Sequence, residues 1–99
     1  MIQYAQSPKA VKDKSITFPA LQSWNPVTEF VTIAAEVHGK RVLCRIDSQD
    51  LIKKYQGSKE EPMAIVSQYR GEIEQAARKM IDDKSYQDDG SILIAFNDL

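Results

Sequence analysis

The sequence predicts an α+β fold: a two-layer sandwich with a mainly antiparallel sheet of about four strands and two helices on one face, in the order β-β-β-α-α-β. Three observations predict it. Residues 29–47 alternate apolar and polar side chains on both sides of a His38-Gly39 pair, the period of two of a hairpin with one buried face. Residues 62–83 repeat apolar side chains at helical spacing, over about 33 Å of helix at 1.5 Å per residue. Residues 91–96 form a short apolar run after an acidic loop that ends in Asp89-Gly90, and read as a last strand.

The hairpin fixes the most detail. Val31, Ile33, Ala35 and Val37 alternate with Thr32, Ala34 and Glu36 along the first arm. Val42, Cys44 and Ile46 alternate with Arg41, Leu43 and Arg45 along the second. A residue-Gly pair between such runs suits a type I′ turn, which needs φ > 0 twice; histidine tolerates the first position. If Val37 pairs with Lys40, then Ala35 faces Val42, Ile33 faces Cys44 and Val31 faces Ile46. Glu36 then meets Arg41 on the other face as an opposite-charge pair. A turn at Gly39-Lys40 would set Glu36 against Leu43 instead, so the first register is preferred.

Ahead of the hairpin, residues 1–14 are polar and unpatterned and are expected to form a mobile arm, leaving 15–99 as one α+β domain. Residues 15–18 read as a short strand closed by Pro19, and 20–27 as a loop or single turn. There Trp24 precedes Asn25-Pro26, a turn-initiating pair. After the hairpin, Asp47 or Ser48 can cap a short helix through Tyr55, with Gly57 as its stop. Pro62 suits the first position of the long helix, leaving Glu61 as a poor cap. Ile65, Val66, Tyr69, Ile73, Ala76, Ala77 and Met80 make one stripe; Glu74 and Arg78 on the outside are a favourable i, i+4 pair. The nearly unbroken apolar last strand argues for a place inside the sheet, although nothing says between which strands.

Two apolar layers follow. The hairpin face carrying Val31, Ile33, Val42 and Cys44 meets the helix stripe. The opposite face also holds apolar members, Phe30, Ala34 and Leu43, which something should cover. The candidates are the N-terminal segment with Phe18 and Trp24, or a second copy of the chain.

Composition narrows the function classes. With 27% charged residues, 42% hydrophobic ones and a formal charge of −1, the chain is an ordinary globule with no electrostatic bias toward nucleic acid or anionic membrane. No apolar run approaches the ~20 residues of a membrane span. One cysteine excludes an intramolecular disulfide and fits a reducing compartment, so a cytoplasmic location is expected. Cys44 and His38 are the sole pair for Cys–His nucleophilic chemistry, and the hairpin sets them some 15–20 Å apart, against the ~3 Å that proton transfer needs. One Cys and one His cannot build a structural zinc site. The acidic loop lacks the closing Glu of a calcium loop. No metal or cofactor is expected, and no enzyme.

Taken in order and spacing, Ile16-Thr17-Phe18-Pro19, Trp24, the hairpin core Val37-His38-Gly39-Lys40-Arg41-Val42-Leu43-Cys44-Arg45-Ile46, then Leu51, Tyr55, Gly57, Pro62 and Tyr69-Arg70 resemble a family of small bacterial proteins, domain of unknown function 1488. The chain departs from that pattern at His38, Tyr69 and Glu61. The resemblance implies the α+β fold and carries no activity or catalytic residue. The expected function is therefore a small non-enzymatic interaction or regulatory module, with a homodimer as one form of it. Its candidate surface is Trp24, Phe30, Ala34, Leu43, Arg41 and Arg45, and its partner is a protein or a second copy in preference to nucleic acid. The alternative is a small-ligand or nucleic-acid binder using Arg41, Arg45 and Trp24.

Overall fold

A computed structural model describes residues 16–99; the expected arm, 1–14, lies outside them. Five strands run β1 Ile16–Thr17, β2 Gln22–Asn25, β3 Phe30–Val37, β4 Lys40–Asp47 and β5 Ile92–Ile94. Between β4 and β5 lie α1 Ser48–Tyr55, α2 Pro62–Gln68 and α3 Arg70–Asp82, and a 3-10 turn, Phe96–Asp98, follows β5. The class is α+β, as the periodicities predict.

The hairpin forms in the preferred register: Val37 pairs with Lys40, Ala35 with Val42, Ile33 with Cys44 and Val31 with Ile46. His38 and Gly39 take φ of 52° and 82°, the two positive values that a type I′ turn demands. Since side chains alternate across a strand, this register sends Val31, Ile33, Ala35, Val42, Cys44 and Ile46 to one face, where each is buried. Leu51 of α1, Ile65 and Val66 of α2, and Ile73, Ala77 and Ile81 of α3 close over that face in one hydrophobic cluster.

Four departures from the sequence reading bear on the surface. The segment expected to be a loop contains β2, which pairs antiparallel with β3 as Gln22 to Ile33 and Trp24 to Val31. Gln22-Ser23-Trp24-Asn25 has little apolar alternation, so its strand character comes from the edge that β3 offers rather than from its own pattern. The turn signal at Asn25-Pro26 does hold: Asn25 Oδ1 accepts from Val27 N at 2.9 Å and Thr28 N at 3.3 Å.

The last strand lies at an edge rather than inside the sheet. β1 and β2 share the free edge of β3, and the path runs β1-β3-β4-β5, with β5 parallel to β4. Ile92 and Ile94 are nonetheless fully buried, because they face the helix layer and join its cluster. The strand is also shorter than expected, as Phe96 turns away beneath Lys53 and Lys54, whose ammonium groups lie 5.4 and 6.0 Å from its ring.

The long helix is broken at Tyr69, whose φ and ψ are −110° and 25°, so three helices stand where two were expected. The break falls between two tertiary contacts. Tyr69 stacks on Tyr55 with ring centroids 4.1 Å apart. Arg70 donates to the Pro19 carbonyl at 2.7 Å, to Gln22 Oε1 at 2.6 Å and to Glu74 Oε2 at 2.8 Å. The first two of these charge-assisted bonds tie the β1–β2 connection and the start of β2 onto α3; the third lies within α3. Arg78 lies over the Phe18 ring at 5.4 Å, so Phe18 is held on the helix side.

The stop of α1 is Gln56, left-handed at φ 57°, and not Gly57. Gly57 is needed for space: a Cβ there would stand 2.5 Å from the Ile65 side chain, whereas one on Gly71 would meet nothing within 4 Å. Gly57→Ala should therefore destabilise by roughly 1–3 kcal/mol through overpacking, while Gly71→Ala should stabilise by up to ~1 kcal/mol by restricting the unfolded chain. Opposite shifts of the urea midpoint at unchanged m-value are the expected outcome; equal shifts would contradict it.

Candidate interaction surface

The residues that the hairpin register turns away from the helices build the surface in rows across the strands. Nearest the turn, Thr17, Glu36 and Arg41 lie side by side. The next row is Ala34 beside Leu43. Below it come Ser23, Thr32, Arg45 and Leu93, and last Asn25, Phe30 and Asp47. The centre is uneven: Ala34 has 0% of its surface exposed, while Leu43 beside it has 45%. Ala34 is thus already covered within the chain, and Leu43 stands out as a knob beside it.

Both arginines on this face have partners from the sheet or from the loop beside it. Arg41 Nε donates to Glu36 Oε2 at 2.8 Å across the strands, the pair that the register predicts. Arg45 lies over the Phe30 ring at 5.9 Å, donates to Ser91 Oγ at 3.2 Å and faces Asp89 Oδ2 at 3.8 Å. Its Nε is buried with no hydrogen-bond partner among the described residues. Ser91 in turn donates to Asp89 Oδ1 from its hydroxyl at 2.6 Å and its amide at 2.9 Å. Those two bonds, with Arg45 nearby, hold the Asp89 carboxyl below its ordinary range. Asp89 lies in the acidic loop, which composition alone marks as a solvated turn, and Ser91 just after it; their tie to Arg45 has no signal in the sequence.

Of the six candidate surface residues, the structure brings five together: Phe30, Ala34, Arg41, Leu43 and Arg45. Trp24 does not join them. It pairs with the fully buried Val31, so it points to the helix side and packs half-buried against the core. Phe18 packs against the same cluster. Neither covers the outer face, and the basic-aromatic constellation of Arg41, Arg45 and Trp24 is not assembled. Leu93 takes a place on the face that the sequence left between two alternating sets of the last strand.

Cys44 and His38 are kept apart as the hairpin requires. Cys44 is fully buried between Ile33 and the helices, and His38 is exposed in the turn. Burial pushes the Cys44 thiol up from 9.0 to about 11, so it carries almost no thiolate near neutrality. Beside the turn an open hollow of about 640 Å³ lies between His38, Lys40 and Arg41 on one side and Tyr86 and Asp89 on the other. Among the described residues no group of three or more His, Cys, Asp or Glu side chains is placed to hold a metal ion, and no helix is long and apolar enough to cross a membrane.

These features define a small α+β domain with one sheet face packed under helices and the other open. The pattern of the family described as "Protein of unknown function (DUF1488)" matches residues 16–94, and the chain belongs to that family. It is 28% identical over 79 residues to the uncharacterized protein YrdB of Escherichia coli K12, covering 79% of this chain and 93% of that one. The match to YrdB of Shigella flexneri has the same identity and extent. The crystal structure of a family member of unknown function from Shewanella loihica PV-4 superposes with a TM-score of 0.75 at 23% identity, over 82% of this chain and 92% of that one, which supports the fold. These relatives carry no assigned activity.

A buried, protonated Cys44 should be unreactive. In the native protein at neutral pH a thiol reagent should label it no faster than the chain unfolds, and a rapid burst would contradict its placement. The same burial sets a sign with pH. Below pH 9.0 the thiol is protonated both folded and unfolded and contributes no pH dependence; as pH rises from there toward 11, the unfolded chain loses the proton first and stability falls. Replacing Cys44 by Ala should remove that alkaline slope from denaturation midpoints.

Proposed function

We propose that this chain is a small non-enzymatic interaction module that works by burying the open face of β3 and β4 against a protein surface. The observation that carries the reading is Leu43, 45% exposed at the centre of a sheet face whose opposite side holds all three helices. Phe30 and Leu93, both half-buried, extend the apolar track from it. Burying apolar surface of this kind is the commonest driving force for association between proteins, and the neutralised pairs around it form a polar rim. Among the described residues, His38 and Cys44 are not within reach of each other as general base and nucleophile. The single thiol, buried and protonated, fits a reducing compartment, and the reading places the protein in the cytoplasm.

The rival reading, a phosphate or nucleic-acid binder, needs free basic side chains. Glu36 neutralises Arg41, Asp89 and Ser91 engage Arg45, and Trp24 stands on the far side of the sheet. Backbone phosphates would have to displace those partners with no net positive charge to draw them in.

A photo-reactive amino acid introduced at position 43 tests the proposal, with the exposed Gln75 on the back of α3 as control. Irradiated cells should yield a protein adduct from position 43 and none from position 75. Absence of an adduct at 43 would overturn the reading.

A further inference from the structure

We infer that the partner on the open face is a second copy of this chain, packed sheet on sheet about a two-fold axis that runs parallel to the strands between β3 and β4. The inference rests on the interaction reading above and adds the identity of the partner. It follows from how the rows are written. A two-fold in that direction keeps each row opposite itself and exchanges β3 with β4. Every cross-strand pair then meets its own reverse in the partner.

In the central row Leu43 lies on the partner's Ala34 side of the row and the partner's Leu43 on the Ala34 side of this one, so the two half-exposed leucines pass beside one another across the axis. In the row toward the turn Glu36 meets the partner's Arg41, and Arg41 meets the partner's Glu36. The existing Glu36–Arg41 bonds would close into a ring of four alternating charges. One row further from the turn than Leu43, Thr32 lies over the partner's Arg45 with no like charge facing it.

The other face-to-face two-fold, perpendicular to the strands, is excluded by the same rows. It would lay β4 on β4 and set Arg41 over the partner's Arg45, like against like. Charge thus selects one axis of the two. β3 and β4, each eight residues long, with the shorter β1, β2 and β5 beside them, present a plane of roughly 400 Å² at ~4.8 Å between strands and ~3.4 Å per residue. That lies below the ~800 Å² per partner of a standard interface, so the dimer is a weak one that dilution separates. Aligned sheets of this size pack ~10 Å apart at about −30°, which the two central rows accommodate best.

Sedimentation velocity on the whole chain tests this. The unmodified protein should sediment at twice the chain mass at high micromolar concentration and dissociate on dilution. Glu36→Arg and Arg41→Glu, each alone, put like charges across the axis and should sediment as monomers with unchanged circular dichroism. Mixed in equal amounts they should recover the dimer, because the reversed charge of one variant then faces the reversed charge of the other, and native Arg41 faces native Glu36. Leu43→Glu, at a half-exposed position that folding does not need, should also be monomeric. A monomeric unmodified protein at high micromolar concentration would overturn the second copy, as would single variants that stay dimeric or a mixture that fails to recover the dimer. In the first case a photo-adduct from position 43 to a different protein would leave the interaction reading standing; no adduct there would remove both.

Discussion

The structure depends on the two positive φ angles of the β3–β4 turn. His38 at 52° and Gly39 at 82° close the hairpin in two residues, and that closure sets Val37 against Lys40. In a strand the side-chain period is two, so a one-residue slip would exchange the faces and bring Arg41, Leu43 and Arg45 under the helices. The cost of burying two unpaired guanidinium groups makes such a slip prohibitive. From the register follow the buried set Val31, Ile33, Cys44 and Ile46, the landing surface for the helices, and the rows of the outer face. The helices bury apolar side chains on a floor that the turn has already laid.

What could be read from the sequence was whatever is written in local period. Alternation gave the hairpin with its register and its Glu36–Arg41 pair; helical spacing gave the stripe of α2 and α3; Pro62 gave the start of α2. What could not be read was set by tertiary contact. β2 is a strand because β3 has a free edge, and its own residues carry no alternation. The break at Tyr69 comes where Tyr55 and the β1–β2 connection hold the chain, and neither Tyr69 nor Arg70 is a breaker. The run Ile92-Leu93-Ile94 looked interior because all three are apolar, yet an edge strand with α3 packed on one side buries two of them equally well. Trp24 was misplaced for the same reason as β2: without the strand, its facing could not be counted from Val31. The surface itself was legible in five of its residues, since those lie on the hairpin.

On the proposed reading the outer face is an interaction surface rather than a binding pocket for a charged ligand. Its apolar centre is small and raised, its arginines already have carboxylate or hydroxyl partners, and its rim is polar. Such a surface makes weak, salt-sensitive associations and is best matched by a partner that repeats its pattern in reverse, which a second copy does by symmetry. For a family whose relatives carry no assigned activity, this locates the most informative residues away from the core. Substitutions among Val31, Ile33 and Ile73 report on folding alone, whereas Glu36, Arg41 and Leu43 lie where folding has little stake.

The most direct test of the face is residue-resolved: amide chemical shifts of the isotope-labelled protein recorded across a dilution series. On this account the shifts that move with concentration cluster at Thr32, Ala34, Glu36, Arg41, Leu43 and Arg45, while the amides of α1, α2 and α3 stay fixed. Concentration-dependent shifts centred on the helices, or none anywhere on the sheet, would contradict it.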